Sequence, residues 1–554
     1  MKVIIIGGGA AGLSAATRLR RLNENVEIVI FEKSDELGTA TCGLTYYLSG
    51  EVTRAELSGP TPEFMKQRYN IDVRLNSEID TVDRENKTVT ILNRPPEYYD
   101  KLIITVGGLQ LRPDIEGVLG DNIFTINDLA SIERIKDYIQ DMSPARALIV
   151  GGGAVGIEAA EALNLLKIEV SIVEASSHVL PMLDYDMAAT LHNHLREKGI
   201  NLYLNQKVIS FGETKATLSN GRTLDYDMAI VATGVSPEIK IPVMADLKVG
   251  KRGGLIVNKF MQTSDKDIYA AGDVIEIPSQ VCNEKMRLPQ AGLAVKEARI
   301  AAEHISGLKS KFEGALGATA CKVCKYTAAA VGCNEKTLIE NNIAYHKFNM
   351  YDYSHASYFP GAELMLFKLL FAPDGRLLGA QGIGRDGIDK RIDILSAYMS
   401  RNSKVSALTA AEICYAPPYS SGKDAINNLG SMAESLNDGQ VKFAFFDEID
   451  WSNQTGETML IDVRSPEQFK DGHLPNAINI PLEAIRKNLD SIPHEKKVIL
   501  YCNFGYGAYN AACILANRGF DNIYMLSGSM HLYEEITEDQ NHSAADKNFG
   551  EIVK

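Results

Sequence analysis

The sequence lacks several features that would place it in a class by composition alone. No apolar run reaches the roughly 18 residues needed to cross a bilayer, so we expect no membrane span. Basic residues are in the minority, with 57 Lys and Arg against 71 Asp and Glu and a net charge of −14. This balance disfavours nucleic acids and anionic membranes as partners. The eight cysteines have no regular spacing, which predicts no disulfide framework and favours a reducing, cytoplasmic location.

Cys42, which follows the first predicted strand–helix–strand unit, lacks a second cysteine nearby in the sequence. No second cysteine occurs until Cys282. Because an internal dithiol needs a second cysteine nearby, a redox-active Cys42 requires an external partner, either a small-molecule thiol or oxygen. The alternative is a buried structural cysteine, a common role for free Cys. Its place near a predicted helix N-terminus favours a reactive thiol.

The N-terminus carries a short apolar run followed by glycines. Val3–Ile6 is typical of a buried strand, and it leads directly into Gly7, Gly9 and Gly12. The run is too short for a signal peptide. A helix and a second strand ending in Glu32 complete a dinucleotide-binding fingerprint. In such a loop the second glycine lets the backbone approach a pyrophosphate, the helix N-terminus stabilises its charge, and the acid accepts from ribose hydroxyls.

The same pattern recurs farther along the chain. A strand at 147–150 leads into Gly151, Gly153 and Gly156, and the next strand is followed by Glu174. Two such units predict two bound dinucleotides. An acid at Glu174 would repel a 2′-phosphate, so the second dinucleotide is predicted to be NADH rather than NADPH.

The run Ile268–Asp273, ending in Gly272-Asp273, adds a third landmark. With both glycine motifs, the chain resembles the pyridine nucleotide–disulfide oxidoreductases, flavoproteins with two dinucleotide-binding domains. The resemblance implies that the first unit binds FAD, with Asp273 at its ribityl or pyrophosphate region, and that the inserted unit binds NADH. Cys42 would then lie beside the flavin as the redox centre.

Two tyrosine-containing motifs follow, His355–Gly361 and Tyr415–Ser420. They resemble the dimerisation domain of the single-cysteine branch of the family, which comprises coenzyme A disulfide reductases, NADH oxidases and persulfide reductases. The resemblance implies a homodimer in which Tyr358 and Tyr415 of one subunit lie over Cys42 of the other. A phenol there can hydrogen-bond or protonate a leaving thiolate. The alternative is that both are ordinary interface aromatics.

The C-terminal region resembles a single rhodanese domain through Ile461–Phe469, Gly472–Pro481 and Val498–Cys502. Cys502 is predicted to end a buried strand and to begin a loop into a helix, where backbone N–H groups stabilise a thiolate or persulfide. Related sulfurtransferases commonly carry an arginine where Gly507 stands. We therefore expect poor binding of thiosulfate and a role with persulfides, or else a purely structural module.

Other positions depart from the family pattern. Coenzyme A disulfide reductases usually carry Ser-Phe-x-Asn before the cysteine and a proline three residues after it, whereas this chain carries Gly38, Thr39, Thr41 and Thr45. Thr41 can still donate a hydrogen bond to coenzyme A. Ala10 replaces a histidine of NADH peroxidases, which disfavours a peroxidase and, less strongly, an oxidase.

Arg18 and Arg21 lie on the helix that, in the family, meets the coenzyme A nucleotide. Both carry charge suited to phosphates, although solvent-exposed helix arginines are an equally good interpretation. Cys321 and Cys324 form an isolated CxxC in a strand-like segment. A single pair is too few ligands for a closed zinc site, so a structural role is favoured and no metal is expected.

We therefore predict an α/β protein with two interleaved Rossmann-like dinucleotide-binding domains, an α+β dimerisation domain and a C-terminal α/β rhodanese domain. The expected boundaries are 1–112 with 245–316 for FAD, 113–244 for NADH, 317–431 for dimerisation, 432–441 for a linker, 442–540 for rhodanese and 541–554 for a solvated tail. The predicted function is NADH- and FAD-dependent reduction of coenzyme A persulfide, polysulfide or coenzyme A disulfide. The alternatives are an NADH oxidase acting at Cys42 and a sulfur relay protein centred on Cys502.

Overall fold

A computed structural model describes residues 1–91, 94–282, 284–449, 451 and 456–552, with side chains up to His542. The chain divides into two compact units, each described by itself below. The first comprises Met1–Ala175 and Gln206–Ala315, and the second comprises Ser176–Asn205 and Leu316–Lys554.

The elements before residue 316 are, in chain order, β1 Lys2–Ile6, α1 Ala10–Leu22, β2 Glu27–Phe31, a 3-10 turn Thr41–Gly43, α2 Leu44–Ser49, α3 Arg54–Leu57, α4 Pro62–Tyr69, β3 Asp72–Arg74, β4 Ile79–Asp83, β5 Thr88–Ile91, β6 Glu97–Tyr98, β7 Lys101–Ile104, β8 Gly108–Gln110, β9 Ile123–Phe124, α5 Leu129–Met142, β10 Arg146–Val150, α6 Ala154–Leu165, β11 Glu169–Val173, α7 Tyr185–Glu197, β12 Asn201–Tyr203, β13 Val208–Phe211, β14 Lys215–Leu218, β15 Thr223–Asp225, β16 Met228–Val231, β17 Val235–Pro237, α8 Lys240–Met244, β18 Leu255–Ile256, β19 Ile268–Ala270, β20 Ile275–Pro278, β21 Lys285–Met286 and α9 Ala291–Ile305.

The elements from residue 316 onward are β22 Thr319–Val323, β23 Tyr326–Gly332, α10 Glu335–Glu340, β24 His346–Tyr353, β25 Leu364–Phe371, β26 Leu377–Gly384, α11 Ile388–Met399, α12 Val405–Thr409, α13 Ala425–Asn437, β27 Phe443–Ala444, a 3-10 turn Phe446–Glu448, β28 Thr458–Asp462, α14 Pro466–Asp471, β29 Ile478–Asn479, 3-10 turns Leu482–Lys487 and Leu489–Ser491, β30 Lys497–Tyr501, α15 Tyr506–Ala516, β31 Ile523–Leu526 and α16 Ser529–Ile552.

The first unit is built on two parallel sheets. One has the strand order β19-β7-β1-β2-β3 and the other contains β11-β10-β16-β9. All pairings within these strands are parallel. The central strands β1, β7, β10 and β16 are rich in apolar residues because helices cover both faces of a parallel sheet, which leaves little room there for polar side chains. Each sheet therefore has the doubly wound order that the two glycine motifs predict.

The second unit contains an antiparallel sheet and a parallel sheet. The antiparallel order is β22-β23-β26-β25-β24, and the parallel order is β27-β31-β30-β28-β29. The predicted fold class is thus confirmed, with an α+β region followed by an α/β region. Residues 176–205, predicted as part of the NADH-binding domain, belong to this second unit.

A buried ion cluster lies on the antiparallel sheet. Lys368 on β25 is fully buried, and its ammonium group lies 2.8 Å from Asp186 and 3.1 Å from Asp184 at the start of α7. It also contacts Glu335 on α10. Burial alone would raise the pKa of Glu335, but the positive charges of Lys368 and Lys347 lower it to about 2. One buried cation thus ties α7 and α10 to the sheet.

The expected linker is partly helical, and two positions of the segment expected to be solvated are buried. Residues 432–437 continue α13, where Ala433 is fully buried, because alternate positions of this polar stretch face the domain interior. The prediction that residues from Glu534 onward are largely solvated is wrong at Ile536 and Asp539, whose side chains are buried. Asp539 on α16 is buried, and it accepts hydrogen bonds from Tyr185 at 2.8 Å and from Arg196 at 2.6 Å, both on α7.

The CxxC segment is a hairpin rather than one strand. Cys321 is buried on β22, whereas Cys324 lies in the turn with φ +53°. In the described part of the chain, no helix combines the length and apolar character needed to cross a bilayer.

We expect Lys368→Met to lower the thermal midpoint of the protein strongly. Removal of the ammonium group leaves three buried or half-buried carboxylates without their shared cation, at a cost of about 3–5 kcal/mol. Differential scanning calorimetry measures the effect. Lys390→Met is the matched control, because Lys390 pairs with Asp389 and Asp393 at an exposed position. Equal midpoints for the two variants would contradict the assignment of Lys368 as a stabilising centre.

Candidate functional site

The first glycine loop joins β1 to α1. Gly7 has φ +102°, a conformation that residues with side chains rarely adopt. A Cβ atom on Gly12 would lie 2.0 Å from the carbonyl oxygen of Gly7, so this glycine is required for helix–strand packing. Apart from Gly9 and its two chain neighbours, no atom of the described residues lies within 4 Å of a Cβ placed on Gly9. Gly9 therefore has no packing requirement, which fits a position kept free for a ligand.

The second glycine loop repeats this geometry between β10 and α6. Gly151 has φ +111°, and a Cβ on Gly156 would lie 2.0 Å from the carbonyl oxygen of Gly151. Gly153 again has open space where a side chain would project. The two loops are thus equivalent cradles at helix N-termini, suited to the anionic phosphates of a dinucleotide.

An acid at the end of the second strand closes each loop. A carboxylate oxygen of Glu32 accepts from the backbone N–H of Gly8 at 2.7 Å, and one of Glu174 accepts from that of Gly152 at 2.6 Å. Each carboxylate is therefore fixed at the edge of its loop, where a ribose hydroxyl would meet it.

Asp273 lies just after β19, beside a buried acid that the sequence interpretation missed. Burial raises the pKa of Asp273. Glu297 on α9 accepts from the backbone N–H of Gly272 at 2.8 Å, and burial together with the charge of Asp273 raises its pKa to about 7. Among the described residues Asp273 has no hydrogen-bond partner, which fits a ligand-facing group. Only the three-dimensional fold could reveal Glu297, because nothing in its local sequence marks it.

Cys42 lies in the 3-10 turn Thr41–Gly43, directly before α2. Its side chain is exposed, as is that of Thr41. A solvent-accessible thiol in this position can be reached by a small-molecule sulfur compound.

The two arginines of α1 have different environments. The guanidinium of Arg18 donates to Glu303 on α9 at 3.0 Å through Nε, so a nearby carboxylate offsets its charge. Arg21 is exposed and donates to the backbone carbonyl of Thr17 at 3.1 Å. Arg21 is thus the cation of this pair that faces solvent, while Arg18 has a structural partner 285 positions away in sequence.

Tyr358 and Tyr415 lie together in the second unit. Their hydroxyl oxygens are 3.3 Å apart, although 57 residues separate them in sequence. The side chains are 75% and 55% exposed, which is unusual for two aromatic residues in contact. The hydrogen bond with Tyr415 raises the pKa of the Tyr358 phenol. The two rings form an exposed hydroxyl pair, in which the Tyr358 phenol keeps its proton at neutral pH.

Cys502 follows β30 and begins the loop to α15. Its sulfur accepts from the backbone N–H of Gly505 at 3.1 Å, and its own N–H donates to Ser529 Oγ at 3.4 Å. A Cβ on Gly507 would lie 3.5 Å from the sulfur, so residue 507 directly adjoins the thiol. The loop therefore provides the backbone N–H of Gly505 to the sulfur, and the glycine at 507 contributes no charge.

The Arg464 side chain contacts the loop that follows Cys502. Its Nη1 donates to the Asn503 side chain at 3.1 Å, while Nε donates to both carboxylate oxygens of Asp462 at 3.0 Å. Asp462 thus offsets its charge. Asp462 and Arg464 belong to the segment Ile461–Phe469, on which the rhodanese resemblance rests. An acid and a base two residues apart at the end of a strand could have predicted this ion pair.

Family models match three segments of the chain. Residues 1–298 match the pyridine nucleotide-disulphide oxidoreductase model, 318–425 match the dimerisation domain of the same family, and 447–535 match the rhodanese-like domain. These matches agree with the order of domains predicted from the motifs.

Known proteins resemble the chain over most of its length. A coenzyme A disulfide reductase of Staphylococcus haemolyticus is 32% identical over 443 residues, which cover 78% of this chain and 100% of that protein. The structure of reduced Bacillus anthracis CoADR-RHD has a TM-score of 0.95 and 38% identity, covering 97% of this chain and 98% of that chain. That of an NAD-dependent persulfide reductase from A. fulgidus has a TM-score of 0.90 and 32% identity, covering 96% of this chain and 100% of that one. The chain therefore belongs to the pyridine nucleotide-disulphide oxidoreductase family and is an enzyme of the oxidoreductase class, extended by a rhodanese domain.

Proposed function

We propose that the protein uses NADH and FAD to reduce a persulfide or disulfide of a small thiol, with coenzyme A as the thiol and Cys42 as the redox centre. The observation that carries the proposal is the exposed thiol of Cys42 at a helix N-terminus, with no second cysteine before Cys282. Such a thiol forms its mixed disulfide with an external partner. The related enzymes named above act on coenzyme A disulfide and on persulfides.

The two glycine loops fit the proposed cofactors. FAD would bind at Gly7, Gly9 and Gly12 with Glu32 and Asp273, and NADH would bind at Gly151, Gly153, Gly156 and Glu174. The support is the open space at Gly9 and Gly153 and the fixed carboxylate beside each loop. When bound, this cofactor pair supplies the two electrons that convert a mixed disulfide back to two thiols.

The substrate step takes place at Cys42. The thiolate attacks the coenzyme A sulfur of a disulfide or persulfide, so that a Cys42–coenzyme A disulfide forms as the old sulfur–sulfur bond breaks. The leaving group is coenzyme A thiolate from the disulfide and hydrosulfide from the persulfide. Two electrons and a proton then return the mixed disulfide to the Cys42 thiolate and free coenzyme A. Thr41 and the exposed Arg21 are proposed to contact the coenzyme A moiety. Arg18 is proposed to contribute the part of its positive charge that Glu303 does not offset.

The tyrosine pair is proposed to assist the leaving group. A phenol that is protonated at neutral pH can donate a hydrogen bond or its proton to a departing thiolate. We propose that Tyr358 and Tyr415 act on Cys42 of the other subunit in a homodimer. The exposure of both rings and the match to the family's dimerisation domain support this arrangement.

Cys502 is proposed to carry sulfane sulfur to or from this cycle. The hydrogen bond from Gly505 N–H to its sulfur suits a thiolate or a bound persulfide. Because Gly507 brings no charge and Arg464 is paired with Asp462, a doubly charged donor such as thiosulfate has little to bind. An organic persulfide is the better substrate for this loop.

We expect Cys42→Ser to retain the visible absorbance of bound FAD and to lose NADH oxidation driven by coenzyme A disulfide or persulfide. Because the mixed disulfide cannot form, kcat falls by at least about a thousandfold. Stopped-flow absorbance at 340 nm measures the loss. Cys414→Ser, which alters another exposed cysteine, is the control and keeps its activity. Turnover of the Cys42 variant at the wild-type rate would overturn the assignment.

Mixed dimers test whether the site is shared between subunits. Tyr358→Phe/Tyr415→Phe alone should lose about a hundredfold in kcat, because the proton donor is missing. Subunit exchange between this double variant and Cys42→Ser creates hybrid dimers. Each hybrid contains one complete site, formed by Cys42 of one subunit and both tyrosines of the other. Activity should then recover to about a quarter of the wild-type value. Tyr419→Phe, a change at another exposed tyrosine, is the control. Hybrids that form by mass spectrometry but stay inactive would contradict a shared site.

A further inference from the structure

The turn at Gly272 and Asp273 packs between helices α1 and α9. Gly272 has φ +83°, and a Cβ atom placed on it would lie 3.5 Å from the Cβ atoms of Ala11 on α1 and Ala294 on α9. Ala11 is the second residue of α1 and lies two positions after Gly9. The turn therefore contacts the start of the helix that the first glycine loop opens.

A buried carboxyl group on α9 holds this turn. Glu297 is 2% exposed, and its Oε2 atom accepts from the backbone N–H of Gly272 at 2.8 Å. This is the one hydrogen bond of the Glu297 side chain within the described part of the chain. Because Gly272 directly precedes Asp273, the buried carboxyl group is fixed next to the residue that is proposed to face FAD.

No cation nearby neutralises Glu297 among the described residues. On α9 and on the facing side of α1, the other charged side chains are exposed or have partners of their own: Arg18, Arg21, Lys296, Arg299, Glu303 and His304. Strand β19 carries no charged residue, and Glu276 on β20 accepts from backbone N–H groups of another turn. The charged group that acts on Glu297 is Asp273, and its charge has the same sign.

A second buried negative charge beside Asp273 is unfavourable. Burial and the charge of Asp273 raise the pKa of Glu297 to about 7, and burial also raises the pKa of Asp273. In this pair Glu297 therefore holds a proton below about pH 7. A dinucleotide pyrophosphate at the same turn adds negative charge, which raises the pKa of Glu297 further.

We propose that Glu297 is a positioning residue for Asp273 and that it takes up a proton when FAD binds. This inference rests on the proposed binding of FAD at Asp273. The Glu297 carboxylate gains one proton from solvent as FAD enters and returns it as FAD leaves. A neutral carboxyl group still accepts from the Gly272 N–H through its carbonyl oxygen, so both forms hold the turn.

FAD affinity is expected to fall as the pH rises. FAD binding raises the pKa of Glu297, so the protonated form is the one that binds FAD more tightly. Affinity is therefore full below the pKa of about 7 for Glu297 without FAD, and above it declines by up to about tenfold for each pH unit. The decline ends at the higher pKa of Glu297 in the FAD-bound protein.

The test is the dissociation constant of FAD between about pH 6 and pH 9. It is measured by serial dilution of the FAD-loaded full-length protein, because released flavin regains its fluorescence. For the wild type we expect the constant to rise by about tenfold or more across this range. Glu297→Gln keeps an acceptor for the Gly272 N–H and removes the charge, so its constant should stay near the low-pH value of the wild type throughout.

Asp273→Asn tests the coupling between the two carboxyl groups. It removes the charge that raises the pKa of Glu297, so the rise in the FAD dissociation constant should begin at lower pH than in the wild type. Glu276→Gln is the matched control and should keep the wild-type pH dependence. Glu276 is equally buried and also accepts from backbone N–H groups, those of Arg252 at 2.6 Å and Gly254 at 3.2 Å.

Three results would overturn the proposal. They are a wild-type dissociation constant that does not change with pH, a folded Glu297→Gln protein that keeps the wild-type rise, and a Glu276→Gln protein that loses it. Circular dichroism confirms that each variant is folded. A wild-type protein without visible flavin absorbance would contradict the proposed FAD site and this inference together, and that result is seen before any pH dependence is measured.

Discussion

Two contacts between a glycine and a carbonyl oxygen determine the geometry of the nucleotide-binding half. At Gly12 and at Gly156 a Cβ would lie 2.0 Å from the oxygen of the first loop glycine, so α1 and α6 approach their strands only without side chains there. This close approach directs the N-terminus of each helix, with its free N–H groups, at the end of a parallel sheet. The open positions at Gly9 and Gly153 and the fixed carboxylates of Glu32 and Glu174 belong to the same two loops.

Buried charge organises the second unit. The Lys368 ammonium group gathers Asp184, Asp186 and Glu335, and Asp539 on α16 receives hydrogen bonds from two side chains of α7. The first turn of the same helix α16 contacts the sulfur loop, since Met530 N–H donates to the carbonyl of Cys502 at 3.0 Å. Helix α16 thus connects the loop that follows Cys502 with α7, which lies far away in sequence.

Local pattern was sufficient to predict the strands beside both glycine loops, the loops themselves and the positions of Cys42 and Cys502, because each is a short run whose spacing reflects its geometry. The partners of charged side chains were not predictable in this way. Arg18 has Glu303 as its partner, 285 residues away, and Lys368 finds Asp186 at a distance of 182 residues. The C-terminal helix was missed for a related reason. Its polar composition indicates solvent exposure, yet its buried side includes Asp539, whose partners Tyr185 and Arg196 lie in another segment. Thr45 was noted only as a departure from the family pattern, and its hydrogen bond to Glu158 became evident in three dimensions.

We propose that Cys42 transfers electrons from NADH to the sulfur of an external coenzyme A compound. Anaerobic NADH oxidation with coenzyme A persulfide and coenzyme A disulfide, compared side by side, tests it most directly. We expect rapid oxidation with at least one of the two compounds, and the ratio of their kcat/KM values then identifies the preferred substrate. No oxidation with either compound, followed by rapid oxidation once air is admitted, would contradict the account and indicate an enzyme that reduces oxygen.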